Sequence, residues 1–129
     1  MLKIDCKIEN GIITYTVFGT IALNQINERA RKDIEELGIM PRMWDFSQAQ
    51  FEDIDYSKMF GFVNHIEADV KRREGVKVAL VSDNDDNYPY IRMFESMISQ
   101  VSVREIYRSF KDINQAREWL KLDGFRQED

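Results

Sequence analysis

The chain has 129 residues, a single cysteine, 43% hydrophobic and 32% charged residues, and a formal net charge of −5. That length fits one domain of ordinary size, and the composition is globular rather than disordered. The negative balance disfavours nucleic-acid binding, which needs cations to displace counterions from phosphate, and peripheral binding to anionic lipid. No apolar run approaches the roughly 20 residues that span a bilayer. Met1 to Asp5 alternates polar and apolar without a signal-peptide core, so a cytoplasmic location is expected. Cys6 has no partner for an internal disulfide and reads as a buried small hydrophobe.

Leu2, Ile4, Cys6 and Ile8 alternate with Lys3, Asp5, Lys7 and Glu9, the period of a strand with one wet face. Asn10-Gly11 follows, a strong hairpin signal because both residues tolerate positive φ. Ile12 to Phe18 reads as a second, antiparallel strand, apolar on both faces and further inside the sheet. From Leu23 to Leu37 the period becomes helical, with Leu23, Ile26, Ala30, Ile34 and Leu37 inward and Gly38 as the stop. Met43 to Phe46 re-enters the sheet.

A second helix is predicted from Asp55 to Arg73, with Tyr56, Met59, Phe60, Val63, Ile66 and Val70 on its core face. Gly61 inside it, at about 1 kcal/mol relative to alanine, implies a close approach of helix to sheet. Val76 to Val81 is a short β-branched run that fits a buried parallel strand. Pro89 suits the first turn of a third helix, whose stripe is Ile91, Phe94, Ile98 and Val101. Arg104 to Phe110 reads as a last strand with Ile106 and Phe110 on one face. Asp112 then caps a helix burying Ile113, Ala116, Leu120 and Trp119. The order β-β-α-β-α-β-α-β-α predicts an α/β fold, a mixed, mostly parallel five-stranded sheet with four helices. Residues 1–123 make a single domain and 124–129 a charged tail.

The hairpin, the three βα units and the closing run Phe110 to Leu120, with its Ala-x-x-Trp-Leu ending, resemble the SpoIIAA-like family. That family is related to STAS domains (sulfate transporter and anti-sigma-factor antagonist). The resemblance covers nearly the whole chain. It implies a strand end at Asp45-Phe46-Ser47, a following phenylalanine at Phe51 and a turn aspartate at Asp53. The family's turn then carries two serines, the second phosphorylated by a kinase anti-sigma factor. Ile54 and Asp55 stand at those positions, so the phosphoacceptor is missing. Asp55 either caps the helix or mimics a phosphorylated state, since a helix start favours an anion. Ser57 lies just inside the helix. Some members of the wider group resemble lipid-binding CRAL-TRIO folds, which carry an apolar groove under a mobile helix.

Other candidates are weaker. Asp83, Asp85, Asp86 and Asn87 form an oxygen-rich loop, but Tyr88 and Phe94 occupy the positions where an EF-hand needs glycine and glutamate. A solvated turn is expected there, and a metal at Asp83 and Asp85 only as a remote option. Parallel strands place Asp45, Asp55 and Asp83 on one edge. His65, the lone histidine, is expected to be exposed, with no serine or cysteine partner. Lys71-Arg72-Arg73 closes a helix, where positive charge suits the dipole. Phe60 and Phe62 point about 200° apart on a helix, so one of them faces out. Met93 and Met97 widen the apolar arc of the third helix. Phe60, Phe62, Met93 and Met97 are therefore the expected partner or ligand surface, unless that helix is buried on two sides.

The expected function is a non-enzymatic regulatory or protein-interaction module without a cofactor, meeting a protein partner or itself. The alternative is a lipid or small apolar ligand carrier with a groove between the second and third helices. Incubation with a serine-kinase anti-sigma factor is expected to leave the mass unchanged. A gain of about 80 Da, one phosphoryl group, at Ser57 or Ser47 would contradict the lost switch.

Overall fold

Asn10 and Gly11 both take positive φ, 53° and 76°, closing the first hairpin in a two-residue type I′ turn. The computed structural model describes residues 2–38, 40–68, 76–101 and 105–121. Its elements are β1 (Lys3–Glu9), β2 (Ile12–Thr20), α1 (Leu23–Leu37), β3 (Arg42–Gln50), α2 (Tyr56–Ala68), β4 (Lys77–Val81), α3 (Tyr88–Ile98), β5 (Ile106–Phe110) and α4 (Ile113–Lys121). The sheet runs in the order β1-β2-β3-β4-β5. β1 is antiparallel to β2, and all other pairings are parallel. The mixed α/β architecture expected from the periodicities is the one found. The basic cluster Lys71-Arg72-Arg73, the core position Val70, Arg104 and the tail 124–129 lie outside the described residues.

The sequential order decides where the helices go. Each parallel crossover steps in the same direction, and right-handed crossovers then place α1, α2 and α3 on one face. The core agrees. One cluster joins Tyr15, Trp44 and Leu80 of the sheet to Ile26, Met59, Val63, Ile91 and Phe94 of those helices. A smaller one joins Ile12, Met43, Ala79 and Phe110 to Ala116 and Leu120 of α4. Among the described residues three helices thus cover one face and one helix covers part of the other.

Several expectations of burial are corrected. Cys6 is exposed, and Ile8 is 47% exposed, because β1 is an edge strand that no helix fully covers. Ile106 is 43% exposed at the opposite edge. Leu37 is the last residue of α1 and is exposed. Tyr56 and Phe60, placed on the core face of α2, are 65% and 46% exposed; Met59, Val63 and Ile66 alone carry that face among the described residues. Gly61 marks no close approach, since a Cβ there would meet open space.

β3 and β4 each begin on a charged residue, and both residues are buried. Arg42 starts β3 and donates from Nη2 to Glu105 Oε2 at 2.5 Å, with side-chain exposures of 2% and 0%. Tyr107 donates its hydroxyl to the other oxygen of Glu105. Burial opposes the Arg42 charge, but Glu105, Tyr107 and Tyr15 together outweigh it and the guanidinium pKa is raised. Lys77 starts β4 and donates to the carbonyl of Trp119, tying α4 to the sheet. Tyr15, fully buried, donates to Asp33 at 2.6 Å. Its burial, with that bond, pushes the phenol far above its usual value.

Removing one member of the Arg42–Glu105 pair strands a charge in the core. Glu105→Ala is expected to destabilise by about 3–5 kcal/mol, whereas Arg42→Met with Glu105→Leu costs much less. Urea denaturation of the three proteins measures the difference, and equal losses would contradict it.

Candidate functional site at the carboxyl end of β3

β3 outruns its neighbour. It pairs with β2 through Gln50 but with β4 only as far as Asp45, which faces Val81. A register shift between Thr16 and Phe18 sets Phe46 and Ser47 opposite Val17, a bulge. The Asp45 carboxylate accepts the Ser47 amide at 2.9 Å, satisfying a donor at the bulge. Beyond Asp45, β4 no longer provides partners for the β3 backbone. Asn87, 4% exposed, takes that place: its Nδ2 donates to the carbonyls of Phe46 and Ala49 at 2.9 and 2.8 Å. Asn87 stands at the N-cap of α3 yet makes no side-chain cap bond, because its amide is committed to β3. Ser47 Oγ accepts the Asp83 amide at 3.0 Å, a second link between the two loops.

The predicted switch residues sort themselves on this frame. Asp45 and Ser47 hold the bulge and the Asp83 loop. Asp53 takes a left-handed φ of 57°, and its carbonyl accepts Lys58 Nζ at 2.6 Å. Asp55 is the N-cap of α2: its carboxylate accepts the Lys58 amide at 2.9 Å. Ser57 is exposed in the first turn. Ile54 is buried and plugs the turn into the core. Asp83, Asp85 and Asp86 are exposed, and Lys111 pairs with Asp85 at 3.5 Å. Among the described residues no three His, Cys, Asp or Glu side chains gather into a metal site. His65 is exposed, as expected.

The expected partner surface comes apart. Phe60 is exposed, but Phe62 is half-buried against Phe94 at 5.5 Å, Met93 is half-buried and Met97 is buried. The wide arc of α3 therefore belongs to a helix packed on two sides. In its place the structure presents Tyr56 and Phe60, one turn apart on α2, with near-parallel rings 6.3 Å apart. Their i, i+4 spacing is visible in the sequence, but the same spacing also describes a core face.

Inside, an aromatic ladder runs Tyr15, Trp44, Phe46, Phe51, Tyr90, with successive centroids 3.9, 6.3, 5.6 and 4.8 Å apart. Beside it lies a small apolar cavity of about 60 Å³, bounded by Trp44, Phe46, Met59, Phe62, Phe94 and Arg42. The Arg42 Nε is buried without a hydrogen-bond partner among the described residues.

An uncharacterized protein of the DUF3478 family from Shewanella loihica PV-4, with a SpoIIAA-like fold, aligns over 92% of this chain and 93% of its own, at 10% identity and a TM-score of 0.55. The fold is SpoIIAA-like. The anti-sigma factor antagonist SpoIIAA in its unphosphorylated form aligns over 95% of this chain and 100% of its own, at 13% identity and a TM-score of 0.49. No protein-family model and no curated protein matches the sequence. No helix among the described residues is long and apolar enough to cross a membrane.

Within this SpoIIAA-like fold Asn87 is the residue that sequence reasoning missed as a structural link. Asn87→Ala leaves two buried carbonyls unpaired and is expected to cost about 1–3 kcal/mol for each. Asn87→Asp is expected to be worse, since a carboxylate cannot donate to them. Thermal melts of both variants test this, and an unchanged alanine variant would refute it.

Proposed function

We propose that this chain is a non-enzymatic protein-interaction module whose docking surface is the start of α2. The observation that carries the reading is the exposed Tyr56–Phe60 pair. Tyr56 and Phe60 stack on each other and leave 65% and 46% of their surfaces in water, and exposed aromatics of this kind anchor interfaces. Glu52, Asp53, Asp55 and Asp83 lie exposed on the loops at the same edge of the sheet. The partner is then a protein surface with an apolar pocket for the two rings and a basic rim. Asp55 fills the place that the family resemblance gives to a phosphorylated serine, and its carboxylate already takes the α2 amide that a phosphate would compete for. The module is therefore read as one whose docking is not switched by phosphorylation at that position.

The cavity beside the aromatic ladder favours a second reading, a site for a small apolar ligand with one acceptor for Arg42. Ligand pockets usually enclose roughly 300–1,000 Å³, so an acyl chain would require α2 or α3 to move.

The double variant Tyr56→Ala/Phe60→Ala is expected to keep its melting temperature, because exposed positions change stability by about 0.5 kcal/mol or less. It is expected to lose whatever protein the wild type captures and that quantitative mass spectrometry identifies. Unchanged capture by the variant rejects the docking reading. A small apolar molecule released from the natively purified chain supports the ligand reading instead.

A further inference from the structure

We propose that β1 is a self-complementary edge, through which two copies of this chain pair antiparallel and join their sheets. The surface is at the far side of the sheet from α2 and is independent of the docking reading above.

β1 is the first strand in the sheet order, and among the described residues it pairs with β2 alone. In a type I′ hairpin the residues flanking the turn, Glu9 and Ile12, exchange both backbone bonds. The alternation that follows turns the backbone groups of Lys3, Asp5, Lys7 and Glu9 toward β2. Those of Ile4, Cys6 and Ile8 face the open edge. Every residue of the strand except Ile4 is exposed.

The side chains select one register. Charges alternate along one face as Lys3, Asp5, Lys7 and Glu9, with ion pairs Lys3–Asp5 and Lys7–Glu9 along the strand. Pairing a second copy about Cys6 sets Lys3 opposite Glu9 and Asp5 opposite Lys7, each twice by symmetry. On the other face Ile4 meets Ile8, and Cys6 meets Cys6. Moving the centre by one residue either way puts Lys3 on Lys7 or Asp5 on Glu9, with Asp5 or Lys7 on its own copy. Like charges directly opposite are destabilising, and opposite charges stabilise. Edge strands normally carry charge to repel partners; here the sign pattern is self-complementary in one register and repels the neighbouring ones. The outward backbone groups agree with the side chains, since Ile4, Cys6 and Ile8 become the hydrogen-bonded pairs. Leu2 and Ile4 line an open groove against α1, and this register delivers the partner's Ile8 to it. Ile8, 47% exposed in one copy, is covered in two.

Sedimentation equilibrium of the full chain, in reducing buffer at low salt, tests the surface. The wild type is expected to move from 15.3 kDa toward twice that mass as concentration rises to about 1 mM, the weak end of specific association. Association weakens with added salt. Lys7→Asp sets a new carboxylate opposite Asp5 and is expected to weaken the dimer at least about tenfold. The swap Asp5→Lys/Lys7→Asp keeps the composition and restores opposite pairs, so it is expected to recover wild-type association. A wild type that stays monomeric overturns the proposal. So does a Lys7→Asp variant that dimerises equally well, or a swap that stays monomeric with a wild-type circular dichroism spectrum.

Discussion

The carbonyl oxygens of Phe46 and Ala49 sit where β4 has already ended, and the Asn87 side chain satisfies both. A buried carbonyl without a donor is expensive, so β3 can extend through its bulge to Gln50 only while that amide is in place. The same bonds fix where α3 begins, because Asn87 is the residue before its first turn. They also set the height at which the chain leaves the sheet, passes Phe51 and Asp53, and enters α2 at Asp55. The positions of Ser47, Asp55 and the Tyr56–Phe60 pair, all beyond the last β3–β4 pairing at Asp45, therefore depend on one buried side chain.

Packing below this point follows from the strand order. Three helices share one face, and their large side chains meet over Trp44 and Phe46. Stacked rings fill space in fixed shapes, and the small void they leave is where flat groups meet branched ones. The far end of the same layer is closed by Arg42, Glu105 and Tyr107. That pair contributes little net stability against an apolar replacement. Its geometry is demanding, however, and it holds β3 against the segment just before β5. Polar bonds thus pin the layer at both ends, with apolar contact between.

Local patterns in the sequence carry most of the architecture. The Asn10-Gly11 turn, the helical spacing of α1, the Asp55 and Asp112 caps and the apolar run of β4 each depend on neighbours within a few positions. Burial is less legible, because it depends on what covers a face. The alternation of β1 marks a strand, but its apolar side lies at an uncovered edge, leaving Cys6 and Ile8 in solvent. The i, i+4 spacing of Tyr56 and Phe60 fits a core stripe as well as an external pair, and only the angle at which α2 meets the sheet separates them. Arg42 with Glu105 and Asn87 with Phe46 are illegible for another reason. They link residues 63 and 41 positions apart, and no local pattern encodes that reach.

The unbroken progression of strands across the sheet also shapes assembly. Each strand lies beside its predecessor, so every pairing closes a loop no longer than one turn or one helix with its flanks, and short loops lose little entropy on closing. The parallel pairings still join residues such as Ile13 and Arg42, or Arg42 and Val78, 29 and 36 positions apart, so folding is expected to be slower than in a helical bundle. The sheet is expected to grow outward from an early pairing, with the ion pair spanning 63 residues among the last contacts to lock.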